Sequence, residues 1–237
     1  ATILCDIRSN ILFKYLISII LTSIISLLLI AQPDIGQTLL VVFCWATLIF
    51  TSGINIYILL AIFIVGASLL AYLIIYVPRF DYIQGRIFSF FNREIGTHNF
   101  QSDKAIESIT SGGFFGKGIG EGVLKNRVPE AHTDYIISVI SEEFGVVAIM
   151  LILLLFLILI YMVFKKISFE TNDKVKLILI GSISLILMQA TIHVGVNIRL
   201  FPTTGMTLPF LSYGGSSIIS TSILAGIILN LTKRKIT

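Results

Sequence analysis

Pro129-Glu130-Ala131-His132-Thr133-Asp134 puts two carboxyl groups and an imidazole within five residues, shortly before a long apolar run. Ionisable groups at membrane depth cost about 2.5–3.5 kcal/mol on insertion scales and usually face a cavity, so such a cluster marks a functional site. Asp134 is a candidate general base, or a ligand for a divalent cation. Glu130 and His132 would orient the site. A helix N-cap shared by Thr133 and Asp134 is the plainer alternative. Upstream, Gly112–Gly122 packs six glycines and Lys117 into eleven residues. A P-loop would need glycine at Ser111 and a hydroxyl at Gly118, and a dinucleotide fingerprint would need a preceding strand and different glycine spacing. Neither nucleotide motif fits. What remains is backbone free to take positive φ. It can aim N–H groups at an anion such as pyrophosphate, with Lys117 and Arg127 as cations, or simply reverse the chain.

Three more constellations share features with these. Gln32-Pro33-Asp34-Ile35-Gly36 joins two apolar runs as a turn with an acidic cap. His193 and Asn197, four residues apart, lie on one helix face ahead of Arg199. Phe201–Ser217 holds two prolines, three glycines and several hydroxyls at the start of an apolar run. That composition suggests a broken helix lining a cavity, since irregular backbone at that depth must be buried in protein or wet. For Gly214–Ser217 a small-residue helix contact competes with it.

The elements that must position these residues are set by hydropathy. Of 237 residues, 56% are hydrophobic and 13% charged. That is about half the usual soluble share of roughly 25% charged residues. A disordered chain, a basic nucleic-acid-binding protein and an ordinary soluble domain are excluded. Charge-free or nearly charge-free runs cover about Tyr15–Ala31, Thr38–Val77, Val146–Phe164, Leu177–Ile198 and Leu208–Leu231. A span needs roughly 20 apolar residues, so the forty from Thr38 to Val77 make two, broken at Ser52-Gly53-Ile54-Asn55. The sequence predicts an all-α polytopic membrane protein of six transmembrane helices. Between the third and fourth lies the 58-residue segment Pro78–Tyr135, with seven basic and seven acidic residues. Its Phe80–Phe100 stretch mixes aromatic rings with arginines, as an interfacial segment or a packed loop would. Gln101–Ser111 reads as a short helix. Arg8, Lys14, Lys165, Lys166, Lys174, Lys176, Lys233, Arg234 and Lys235 all fall on one side, which the positive-inside rule makes cytoplasmic. The excess of basic residues thus reports topology and implies no nucleic-acid partner. Cys5 and Cys44 offer neither a disulfide framework nor a zinc spacing.

Taken together, these residues resemble the SEDS (shape, elongation, division and sporulation) family of polytopic peptidoglycan polymerases. The resemblance runs through Gln32–Gly36, Gly112–Gly122, Pro129–Asp134, Glu142-Glu143-Phe144-Gly145 and Pro209–Ser217, in the family's order and spacing. Glu130–Asp134 and Thr204–Pro209 look more like its division branch. The resemblance implies ten spans, with residues 1–237 as the C-terminal six of one integral membrane domain and 78–135 as its large extracytoplasmic loop. The upstream Pro-Ala/Ser-Glu motif is absent, and Thr204 stands where many division members carry lysine. The resemblance further implies polymerisation of lipid II into undecaprenyl-linked glycan at the outer face of the bacterial inner membrane, at the septum. The partners it implies are a class B penicillin-binding transpeptidase, other division proteins and membrane lipids. Asp134 would be the catalytic residue, with magnesium or manganese as a possible cofactor there. Lys117, Arg127, Glu130, His132, Thr133, Asp34 and Ser212 would bind substrate. A lipid II flippase using the same broken helices, and a non-catalytic truncated scaffold, are the competing expectations.

Overall fold

Each predicted span forms a helix, because in hydrocarbon the backbone can satisfy its polar groups only against itself. The structure, a computed structural model, describes residues 3–5, 11–91, 97–123 and 128–233. Its helices are α1 (Ile11–Ala31), α2 (Ile35–Thr51), α3 (Ile56–Tyr76), α4 (Asp81–Phe91), α5 (Thr97–Gly112), α6 (Ile136–Phe169), α7 (Asp173–Asn197) and α8 (Gly215–Thr232). A 3-10 turn over Pro78–Phe80 leads into α4. No strand occurs among the described residues. The predicted spans correspond to α1, α2, α3, α6, α7 and α8. All but α2 are long and apolar enough to cross a membrane alone; α2 has 17 residues. Among the described residues between α3 and α6 are the helices α4, within the aromatic stretch, and α5, around the predicted Gln101–Ser111.

Two boundaries differ from expectation. The fourth span was expected to start at Val146, but α6 starts at Ile136 and is broken at Gly145, where φ is 79° and ψ −179°. The sixth was expected from Leu208, but α8 starts only at Gly215. After Leu208 the chain makes a single turn, Ser212 N–H to Leu208 O at 3.1 Å, and Phe210 at φ 67° lies outside the helical region, so the turn does not propagate.

The chain divides into two compact units. One comprises Ala1–Gly85, Val163–Met188 and Ala225–Thr237; the other comprises Arg86–Met162 and Gln189–Leu224. In the first, α1 meets α2 through polar contacts, Trp45 Nε1 to Ser18 Oγ at 3.3 Å and Ser52 Oγ to Tyr15 Oη at 3.4 Å. The α2–α3 turn closes as the sequence suggested: Gly53 takes φ +90° and the Asn55 side chain caps α3 through Tyr57 N–H. A Cβ on Gly181 of α7 would sit 3.2 Å from Leu48 of α2, a close approach of the small-residue kind. Cys5 and Cys44 are both free thiols. The second unit has its apolar centre at Ile137, Ala190 and Leu208, with Ile109, Ile149, Phe156 and Val194 packed around it.

Candidate functional site

The site is built in the second unit, and its first component is the break in α6. In an unbroken helix the Val146 and Val147 N–H groups would bond to the carbonyls of Glu142 and Glu143. Here Val146 N–H goes to Gly113 O at 3.0 Å and Val147 N–H to Phe114 O at 3.3 Å. The two released carbonyls are filled from the same loop, Glu142 O by Lys117 N–H at 2.8 Å and Glu143 O by Gly118 N–H at 3.0 Å. Four helix groups that the kink would otherwise orphan thus find four loop partners. The exchange requires backbone against backbone. A Cβ on Gly112 would fall 1.9 Å from Ser141 O, on Gly116 2.1 Å from Glu143 O, and on Gly145 2.2 Å from Phe114 O. The glycines serve close approach and positive φ, the reversing-loop alternative, and the Lys117 and Gly118 N–H groups are engaged with α6 instead of an anion.

Side chains reinforce this interlock. Glu142 is fully buried; Ser108 Oγ donates to its Oε2 at 3.1 Å and Lys117 Nζ lies 3.5 Å from its Oε1. Gly120 N–H donates to Glu143 Oε1 at 3.2 Å. Lys117, expected to meet substrate, is therefore the cation partner of a buried carboxylate, with its side chain still 39% exposed.

The second component is the turn that carries Asp134. Its three successive carbonyls are each held by a different group. Tyr213 N–H donates to His132 O at 2.9 Å, Ser212 Oγ to Thr133 O at 2.7 Å, and Asn197 Nδ2 to Asp134 O at 3.0 Å. Asn197 also donates to His193 O at 2.9 Å. One turn earlier on α7, the buried His193 pairs its Nδ1 with Met206 O at 2.6 Å. A turn before that, Gln189 donates to Thr207 O and to the Thr207 and Ser217 hydroxyls, each at 3.0 Å. Gln189, His193 and Asn197 are spaced by four and so form one polar stripe down α7. That stripe fixes the 206–207 strand of coil, the start of α8 and the Asp134 turn together. His193 and Asn197 were legible as an i, i+4 pair; Gln189, the third member, was missed although the same spacing pointed to it.

Around this turn the backbone is strained. Glu130, Arg199 and Phe210 take φ of 54°, 61° and 67°. Non-glycine residues there cost about 1 kcal/mol or more each, and such strain clusters at functional sites. Arg199 forms an ion pair with Asp103 of α5, and Arg86 Nη1 donates to Thr203 O at 3.2 Å, tying α4 and α5 to the 199–207 segment. A Cβ on Gly205, itself at φ +71°, would lie 3.6 Å from Asp134 Oδ2, so the glycine backbone passes close beside the carboxylate. Burial pushes the Tyr135 phenol above its ordinary pKa, so next to Asp134 it stays neutral at physiological pH.

The remaining sequence candidates divide clearly. Thr133 and Glu130 pair with each other, Thr133 Oγ1 to Glu130 Oε2 at 3.0 Å. His132 is exposed. Ser212 is 3% exposed, and its hydroxyl both donates to Thr133 O and accepts from Leu208 N–H, so it positions the turn from beneath. Asp34 belongs to the first unit and caps α2, accepting from Gln37 N–H at 2.9 Å. Arg127 lies outside the described residues. Among the described residues no three His, Cys, Asp or Glu side chains gather where they could hold a metal ion.

A helical, multi-pass membrane protein whose fourth span is broken and locked by a glycine loop, with a pinned acidic turn at its head, is the class that fold and site define. The chain belongs to the FtsW, RodA and SpoVE family: the family model described as "Cell cycle protein" matches residues 5–236. A relative from Caulobacter vibrioides named "Probable peptidoglycan glycosyltransferase FtsW" is 36% identical over 210 residues, covering 88% of this chain and 52% of that protein. A relative of the same name from Enterococcus hirae is 31% identical over 236 residues, covering 94% and 59%. The chain thus spans little more than half the length of these relatives. Among solved structures, it resembles a chain of a peptidoglycan synthase complex described as coordinating polymerization and crosslinking. The TM-score is 0.74 at 29% identity, over 92% of this chain and 61% of that one. It also resembles the rod shape determining protein RodA of Thermus thermophilus in an aspartate-to-alanine form, with TM-score 0.61 and 29% identity, over 97% and 59%.

Proposed function

We propose that this chain carries the catalytic turn of a lipid II polymerase, a peptidoglycan glycosyltransferase, with Asp134 as general base. The observation that carries the reading is the triple anchoring of the His132, Thr133 and Asp134 carbonyls, which fixes the turn that bears the carboxylate. A base must be held within hydrogen-bond reach of the proton it removes, and rigid support is what makes that reach reproducible.

In this scheme the 4-hydroxyl of the incoming lipid II GlcNAc attacks C1 of the growing chain's MurNAc. The bond from C1 to the pyrophosphate oxygen breaks, undecaprenyl pyrophosphate leaves with the electron pair, and the anomeric centre inverts. Asp134 takes the hydroxyl proton. His132, exposed beside it, and Glu130 meet the substrate; Lys117 and Arg127 offer charge to the leaving group. Magnesium is usually held by one or two carboxylates together with substrate phosphates, so Asp134 is the residue that would hold it here, where it would stabilise charge on the leaving pyrophosphate. The steps themselves use this chain's own residues. The family relationship supports the substrate class, and the resemblance to a chain of a synthase complex supports a crosslinking partner, which we take to be a class B penicillin-binding transpeptidase at the septum.

The test is Asp134→Asn in the natural gene product that contains this sequence, reconstituted in liposomes with fluorescent lipid II. Gel-resolved glycan should vanish while the folded, membrane-inserted protein remains. Polymer made at the unmodified protein's rate would remove Asp134 from the chemistry.

A further inference from the structure

The glycine loop leaves its most apolar residues uncovered. Phe114 is 75% exposed and Phe115 84%, and Ile119 behind them is 78% exposed. Their position along α6 says what surrounds them. The charge-free run Val146–Phe164 has 19 residues and ends at Lys165-Lys166. At ~1.5 Å per residue it is about 28 Å long, against a hydrocarbon core of roughly 30 Å, so there is no surplus length to slide. With the lysine pair in the headgroups at one end, Val146 and Val147 sit at the hydrocarbon boundary on the other.

The loop is bonded to those same two residues, through Gly113 O and Phe114 O. Phe114 therefore shares the depth of Val147, whatever the tilt of the helix. Val147, Met150 and Leu151 are each more than half exposed on α6, so the two phenylalanines extend an apolar surface that the described residues leave uncovered. Beyond them, Lys117 and Glu121 return the chain to charged, aqueous surroundings. An apolar pair flanked by charge at the headgroup boundary is the composition of an interfacial anchor.

We infer that Phe114 and Phe115 dip into the acyl chains of the leaflet on the Asp134 side, making the glycine loop a shallow membrane wedge. The wedge is joined by main-chain hydrogen bonds to the segment of α6 that follows Asp134, so it sets the depth of that segment in the bilayer. Acyl chains are the occupant the register selects. This rests on the membrane reading of α6 alone and does not depend on glycosyl transfer.

The experiment places one fluorophore at a time. In the natural gene product that contains this sequence, with every cysteine (Cys5 and Cys44 among them) replaced by alanine, Phe115→Cys and Phe114→Cys are labelled with a nitrobenzoxadiazole dye in phosphatidylethanolamine–phosphatidylglycerol vesicles. Leu155→Cys, mid-span, and Glu121→Cys serve as membrane and water references, and circular dichroism verifies the helices. Lipid spin-labelled at carbon 5 should cause a several-fold larger loss of fluorescence at both loop positions than iodide does, while Leu155→Cys responds to the deeper carbon-12 label. Iodide quenching equal to that at Glu121→Cys would overturn the inference. So would protection from both quenchers, which would mean protein covers the tip.

Discussion

Ser212 illustrates how one buried hydroxyl can support the turn that carries a candidate catalytic residue. Its hydroxyl satisfies two buried backbone groups, Leu208 N–H and Thr133 O. Ser212→Ala leaves both unpaired, at about 1–3 kcal/mol for a stranded buried group. The expected outcome is a lower unfolding midpoint in detergent together with a fall in turnover, because the Asp134 turn loses its central support. Lys117 poses the converse question, since it is tied to the buried Glu142 and yet remains partly exposed. Lys117→Met should destabilise by roughly 1–2 kcal/mol, less than a fully buried pair would lose because solvent already screens the lysine. Adding Glu142→Gln removes the charge that was left behind and should recover most of that loss. If Lys117 also meets the leaving pyrophosphate, the double variant regains stability and not activity. Unfolding and polymer assays on the same preparations separate the two roles.

At the scale of elements, the α6 break and the loop that fills it form one unit of structure. Gly145→Ala, Gly112→Ala and Gly116→Ala each drive a methyl to about 2 Å from a backbone oxygen, where nothing flexible can yield. Each should cost more than about 3 kcal/mol, in the range of the worst overpacking. Gly113→Ala is the control: it has φ +59° but nothing within 4 Å, so only the left-handed strain of about 1 kcal/mol applies. Thermal unfolding followed by circular dichroism should rank Gly113→Ala well above the other three. This break also marks where legibility in the sequence stopped. Hydropathy gave the six spans because the bilayer imposes length and composition locally. The start of α6 was hidden because Glu142 and Glu143 end the apolar run, and only the fold reveals that Glu142 is buried against Ser108 and Lys117. The glycine-rich run was visible, but whether its N–H groups serve an anion or a helix break depends on a partner 25 residues away. His193 and Asn197 were visible through helical spacing, while their partners, Met206 O and Asp134 O, are backbone atoms that no side-chain pattern announces.

For the whole molecule the decisive constraint is parity. Only α6 separates the glycine loop from the α6–α7 connection, so if α6 crosses the membrane, Glu121 and Asn172 must lie on opposite sides. Charge assigns the sides. Lys165 and Lys166 lie in the last turns of α6 and Lys174 and Lys176 in the first turns of α7, flanking the α6–α7 connection, and each lysine near an anionic cytoplasmic leaflet is worth about 1 kcal/mol. The segment between α3 and α6 has balanced charge and exerts no opposing pull. The expected outcome is therefore that Asn172→Cys, in the cysteine-free background, reacts with a membrane-impermeant maleimide only in inverted vesicles. Glu121→Cys should react in intact spheroplasts. Both positions are exposed, so failure to label reflects the membrane and not burial. Labelling of both from one side would mean α6 does not cross, which would also remove the depth assigned to Phe114. Opposite sides in the reverse sense would keep α6 as a span but put Asp134 on the cytoplasmic face, where a polymerase of extracytoplasmic glycan cannot work. Replacing all four lysines by glutamine tests the cause directly: some fraction of Asn172→Cys should then become accessible from outside, in proportion to the bias removed.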